Sequence, residues 1–129
     1  MRSSEECRLI VYGGARRLEE VLDRVKEKVY EYNTIAGRHG YYLKPVHKVY
    51  RRTSQGVKVY EYYGRYYWRR AGNRLVYAGT VKPRGLPDPE PLGIEGLSVI
   101  RVNDEDIVVD CTVYDRFKTL FQGLKAERY

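Results

Sequence analysis

Apolar positions recur along this chain with two different periods. From Ala15 to Ile35, the residues Leu18, Leu22, Val25, Val29 and Tyr32 follow one another at steps of four, three, four and three, with Val21 beside them and charged residues between. That spacing predicts an amphipathic helix ended by Gly37. Such a stripe packs on a sheet of its own chain, and because its spacing is also that of a heptad, it admits a weak homodimer through helix 15–35. Beyond residue 40 the period changes to two. Val, Tyr and Trp dominate, and turn residues punctuate the run at Thr53-Ser-Gln-Gly56, Tyr63-Gly64 and Ala71-Gly72. This predicts a four-stranded antiparallel meander with strands at Val46–Arg52, Val57–Tyr62, Arg65–Arg70 and Asn73–Val81.

Tight turns at these places set which side chains face each other. One face then gathers Tyr50, Val57, Val59, Tyr66, Trp68, Leu75 and Tyr77, with Lys48 opposite Glu61 at its margin, and reads as the core face. The other aligns Arg51, Lys58, Arg69 and Arg74 in a cross-strand row, backed by Val49, Tyr60, Tyr67 and Val76 and then by His47, Tyr62, Arg65 and Ala78. Two unit charges about 5 Å apart in water repel by roughly 0.8 kcal/mol before screening. A row of cations without interleaved acids therefore calls for a polyanion, unless it is simply a wetted surface.

The flanks read as support. Cys7–Tyr12 is a short apolar run predicted as a strand, although Ser3-Ser4-Glu5-Glu6 offers a helix cap as an alternative. Gly13-Gly14 makes a strand-to-helix turn, since the remaining glycines of a nucleotide fingerprint and the Lys-Ser/Thr of a phosphate loop are missing. Lys82–Pro91 has Pro at four positions and forms a stiff extended connector. Leu97–Val102 and Asp106–Asp110 flank Asn103-Asp104-Glu105 as a hairpin. Thr112 and Asp115 then cap a last helix carrying Val113, Phe117, Leu120, Phe121 and Leu124. The fold class is thus α+β: a four-stranded meander backed by one long helix, with a C-terminal hairpin and helix. The chain divides into 1–82, a connector at 83–95, and a hairpin-helix unit at 96–129 on the same domain.

Charge sharpens this picture. The 129 residues carry a net charge of +7, distributed unevenly: residues 38–84 hold twelve Lys/Arg and one acid, whereas 1–37 hold seven of each and 85–129 hold five and nine. A basic patch of this kind is the electrostatic footprint of nucleic-acid binding. No run of about 18 apolar residues is present to span a membrane, and Met1-Arg-Ser-Ser-Glu-Glu lacks the apolar segment of a secretory signal; the expected location is the cytoplasm. Cys7 and Cys111 suit neither a zinc site nor a disulfide scaffold. A reducing cytosol favours free, buried thiols, with one bridge open to them if the termini meet.

Catalytic chemistry finds little foothold. His39 and His47 have no Cys or carboxylate at ligand spacing, and Asp104, Glu105, Asp106 and Asp110 lack the loop pattern of a calcium site. No nucleophile and base stand in a recognisable pattern. The reading is a binding protein with no cofactor and no metal.

The segment Tyr62–Gly79, followed by the proline-rich stretch and Leu92-Gly-Ile-Glu-Gly-Leu97, resembles a module of small basic archaeal proteins of chromosomes and mobile elements. It is also similar to the three-stranded DNA-reading sheets of some tyrosine recombinases, whose catalytic domain is absent here. The likeness covers about half the chain and carries over no activity; the basic, aromatic sheet face is what points to nucleic acid, DNA ahead of RNA, as the partner. On that face Arg51, Lys58, Arg69 and Arg74 are the phosphate-contacting candidates and Tyr60, Tyr62 and Tyr67 the stacking ones, with Arg65 a further nucleic-acid-binding candidate. The alternative is a structural or adaptor protein, viral or of a mobile element, that uses the same tyrosine-rich face against another protein.

Overall fold

The stripe of Leu and Val that marks the helix in the sequence is the side it buries. In the computed structural model, which describes residues 6–129, α1 runs over Gly14–Ala36, with Leu18, Val21, Val25, Tyr32 and Ala36 buried. The α-helix ends at Ala36, before Gly37 as predicted, but Gly37 is not the left-handed residue that closes it. A 3-10 turn over Gly37–His39 continues it, and Gly40, at φ 81°, is the left-handed residue that closes the element. The strands are β1 (Arg8–Val11), β2 (Tyr41–Thr53), β3 (Gly56–Ala71), β4 (Arg74–Gly79), β5 (Ser98–Arg101), β6 (Ile107–Asp110) and β7 (Ala126–Arg128), with a short helix α2 at Cys111–Arg116. The fold is α+β, with one long helix and a seven-stranded antiparallel sheet in the order β2-β3-β5-β6-β1-β7, β4 pairing with β3. The Ser3-Ser4-Glu5 alternative cap lies outside the described residues.

The chain forms two compact units. The first comprises Met1–Val21, Lys48–Tyr62 and Leu97–Tyr129; the second comprises Leu22–His47 and Tyr63–Gly96. In the first, β6 pairs with β1 through Leu9↔Val109 and Val11↔Ile107, and with β5 through Ile100↔Val108. Its core holds Val11, Leu18, Leu97, Val99, Ile107, Val109 and Phe121. The turn into α1 is closely fitted. A Cβ on Gly14 would lie 2.6 Å from Ile107 Cγ1, so only glycine lets the helix start rest on β6. The Gly13 N–H donates to Asp106 Oδ1 at 3.0 Å, and Arg17 donates to the Leu120 and Gln122 carbonyls at 2.8 and 2.9 Å. The anion at this helix start is therefore the protein's own Asp106.

Two expectations for this unit need correction, and one strand was not foreseen. Cys7 and Cys111 are not free thiols but form a disulfide, with their Cα atoms 5.4 Å apart. The sequence separation of 104 makes this bridge worth about 4–5 kcal/mol by the chain-entropy argument. The last helix begins at Cys111 with Asp110 as its N-cap and no side-chain cap bond, so Thr112 lies inside it and does not cap it. Finally, β7 pairs with β1 through Leu9↔Arg128 and Val11↔Ala126. Three residues of Ala-Glu-Arg carry no alternation from which a strand is readable. The hairpin predicted over 97–110 forms, with its strands at Ser98–Arg101 and Ile107–Asp110.

In the second unit Tyr32, Ala36, Leu43, Tyr67 and Leu86 make a core cluster with Tyr41 packed against it. Asn33 fixes the approach of β2, accepting from Leu43 N–H at 2.7 Å and donating to Leu43 O at 2.9 Å. Tyr32 donates its hydroxyl proton to Pro87 O at 2.8 Å. The proline-rich stretch is a working wall of this unit, supplying buried Leu86, Leu92 and Ile94. Glu95 caps its last turn by accepting from the Leu92 and Gly93 N–H groups at 2.7 and 2.9 Å.

The four-stranded meander does not form. Tyr63-Gly64 is not a turn: both residues are buried inside the uninterrupted strand β3, and Gly64 is absent from the positive-φ glycines. The turn predicted at Ala71-Gly72 forms one residue further on, at Gly72-Asn73, with Gly72 at φ 65°, and sets Ala71 opposite Arg74 and Arg69 opposite Val76. The expected core face is not one. Tyr50 and Val57 are 66% and 60% exposed, and Leu75 and Tyr77 are 37% and 41% exposed.

Candidate functional site

Side chains on β3 alternate between two faces, and in the first unit the inward position at its centre is a carboxylate. Glu61 is 1% exposed. It accepts two hydrogen bonds from Arg101, from Nε at 2.9 Å and Nη2 at 3.2 Å, and Lys48 Nζ lies 3.7 Å away. A carboxylate taken out of water needs such partners. The opposite positions, Lys58, Tyr60 and Tyr62, point to the other face. There the Arg51 guanidinium lies 5.2 Å over the Tyr60 ring. Tyr60 and Tyr62 line an open cleft of about 270 Å³ with Arg8, Ile100, Val108 and Asp110, in which Arg8 pairs with Asp110 at 3.5 Å. Of the predicted residues, the structure brings Arg51, Lys58, Tyr60 and Tyr62 together here.

Arg69 and Arg74 belong to the second unit. They are exposed and sit two pairs apart on the β3–β4 ladder, Arg69 across from Val76 and Arg74 across from Ala71, with Arg70 and Leu75 between. A single row of Arg51, Lys58, Arg69 and Arg74 therefore does not exist, because the turn that would fold Lys58 back beside Arg69 is a straight strand. Arg65 is bound to Glu95 at 3.4 Å and reaches Pro89 O at 3.5 Å. Tyr67 is 2% exposed and cannot stack on a base. Burial pushes its hydroxyl pKa up, offset in part by the hydrogen bond with Tyr32 and by Arg65. Burial likewise raises Tyr32 strongly, helped by Tyr67.

The aromatic residues assigned to the core stand on the face opposite Tyr67. His47 is sandwiched by Tyr77, with centroids 4.6 Å apart and planes at 17°, and by Tyr66, at 5.4 Å and 28°. Trp68 meets Tyr77 edge-on at 5.3 Å and 60°. Lys44 Nζ sits 4.6 Å over the Trp68 ring, and Arg70 lies over Tyr42 while donating to its hydroxyl at 2.9 Å. Trp68 Nε1 is buried without a hydrogen-bond partner. A register shift between Tyr67 and Trp68 re-aims the strand at this point.

Sequence reasoning put Tyr66, Trp68 and Tyr77 on one face with Arg70 near its margin, but took that face for core and missed that Lys44 and His47 join it. A signal for it exists: Tyr63-Gly64 lacks the Asn, Asp or Ser companion that two-residue hairpin turns favour, whereas Gly72-Asn73 has one. Among the described residues no group of three His, Cys, Asp or Glu side chains stands ready to hold a metal ion. Among the described residues no helix is long and apolar enough to cross a membrane. Comparison with protein-family models, with curated proteins and with solved structures finds no match.

Proposed function

We propose that the protein binds nucleic acid through the cation-bearing strand faces of its two units and performs no catalysis on it. One observation carries this reading. Residues 38–84 contain a single acid, Glu61, and it is turned inward and occupied by Arg101 and Lys48. Arg51, Arg52 and Lys58 of the first unit, and Lys44, Arg69, Arg70 and Arg74 of the second, make no ion pair among the described residues. Uncompensated cations beside half-exposed tyrosines match a phosphate backbone with its sugars and bases. DNA is proposed ahead of RNA. The location proposed is the cytoplasm, on the condition that the Cys7–Cys111 bridge survives there, as intracellular bridges do in hyperthermophiles.

The test is a titration of labelled duplex and single strands over a salt series. Each phosphate neutralised on a duplex contributes about −0.9 to the slope of log affinity against log salt. An affinity indifferent to salt, or one equal in wild type and in the Arg69→Ala/Arg74→Ala variant, would sink the reading. The exposed apolar pair Tyr50 and Val57 favours a second reading, a protein-protein interface in the first unit; it predicts binding that persists at high salt and is lost in Val57→Lys.

A further inference from the structure

We infer that the second unit carries a base-stacking subsite for single-stranded nucleic acid, in which an unpaired base lies on Tyr77 and extends the column Tyr66–His47–Tyr77. This deepens the nucleic-acid reading and rests on it. Tyr77 ends the column. His47 occupies one face of its ring and Trp68 meets it by an edge, no further ring contact to it exists among the described residues, and the residue is 41% exposed. An offset-stacked ring is the geometry aromatic pairs prefer, and a base presents the same kind of π-face. The platform is also pre-organised. Trp68 and Tyr77 are partners in the β3–β4 ladder, so ordering the site costs little when a strand arrives.

The charges beside the column decide what kind of chain comes with the base. Lys44 stands over Trp68, and Arg70 follows Trp68 two positions along the same face, across from Leu75. Neither has a carboxylate partner among the described residues, and no acid occurs on β2 before Thr53, on β4, or on β3 beyond Glu61. An apolar protein partner would leave both cations uncompensated. A single strand supplies a base for Tyr77 and flanking phosphates for Lys44 and Arg70, whereas a duplex hides its base faces within the stack everywhere but at its ends.

Trp68 is the only tryptophan in the chain, so its emission reports on this site directly. The full-length protein is titrated at fixed salt with oligothymidylate and with a closed-hairpin duplex. The expected result is saturable quenching by the single strand, with single-strand affinity about 5- to 150-fold weaker in Tyr77→Ala and duplex affinity and salt slope unchanged. Tyr77→Phe keeps wild-type single-strand affinity because the ring stacks without its hydroxyl. Tyr77→Leu, which keeps apolar bulk but no ring, shows the loss even should Tyr77→Ala fail to fold. Tight single-strand binding with unquenched Trp68, unaltered affinity in Tyr77→Leu, or an equal loss on duplex overturns the subsite and leaves nucleic-acid binding standing. Failure to bind either oligonucleotide in wild type overturns both.

Discussion

The two units solve the same interior problem with opposite chemistry, and β3 passes through both. In the first unit the strand sends Glu61 inward and satisfies it with two cations. In the second it sends Tyr63 and Tyr67 inward, and phenols bury with far less desolvation cost than a carboxylate. The consequence appears outside. The first unit spends Lys48 and Arg101 on its own core, and in its cleft Arg8 on Asp110. The second spends Arg65 on Glu95 and Lys82 on Asp88, while Lys44, Arg69, Arg70 and Arg74 make no ion pair among the described residues. A basic surface thus depends as much on where the few acids go as on how many cations there are.

Substituting Tyr67 tests this contrast most severely. Tyr67→Ala removes a buried ring from the cluster of Tyr32, Leu43 and Leu86 and should cost about 3–5 kcal/mol in urea unfolding. Tyr60→Ala, at the half-exposed position of the first unit, should cost about 1 kcal/mol or less. Equal losses would contradict the assignment of Tyr67 to the interior and Tyr60 to the open face.

The same contrast shows why the sequence was legible in one unit and misleading in the other. The helix was readable because five apolar residues at 3.6-residue spacing leave few other solutions, and the 98–110 hairpin because two β-branched runs flank a polar tip. On β3, Lys58, Tyr60 and Tyr62 were placed together correctly. One glycine undid the rest. With Gly64 taken as a turn, Val59 and Trp68 fall on one face; in a continuous strand an odd and an even position fall on opposite faces. Tyr66, Trp68 and Tyr77 therefore moved out and Tyr67 moved in. A one-residue change of parity inverts every side chain beyond it. The Cys7–Cys111 bridge was undecidable for a different reason: it depends on β1 and β6 being neighbours, which two cysteines far apart in the chain do not encode.

Next in size is Glu61→Ala. It takes away the carboxylate that Arg101 and Lys48 share and should cost about 3 kcal/mol, the low end for a broken buried pair because Arg101 and Lys48 keep some access to water. Denaturant titration measures it. A loss under about 1 kcal/mol would show that the pair behaves as a surface contact, and the proposed diversion of cations to the core would fail.

Smaller again is a pH effect in the second unit. Burial pushes the Glu95 pKa up, but the N–H groups of Leu92, Glu95 itself and Gly93, with Arg65, outweigh it, and the carboxyl ends below its usual range. A lowered folded-state pKa adds stability that is fully present above the unfolded pKa and is lost as pH falls through the folded value. Glu95→Gln should therefore be less stable than wild type at neutral pH, by about 1 kcal/mol, and the gap should close in acid. A gap constant with pH would mean that the caps do not depend on charge.

The smallest effect is the most pointed. If a turn at Tyr63-Gly64 placed Arg69 between Lys58 and Arg74, removing it would relieve repulsion on both sides and stabilise the fold. In the structure its cross-strand partner is Val76, and Arg74 lies across from Ala71. Arg69→Ala should then leave stability within about 0.5 kcal/mol of wild type, with no gain on lowering salt. Its mark should appear in binding alone, as a loss of about 0.9 from the duplex salt slope. A clear stabilisation that vanishes at high salt would put Lys58 and Arg74 back at its sides and revive the meander. An unchanged salt slope would remove Arg69 from the interface while leaving the straight strand intact.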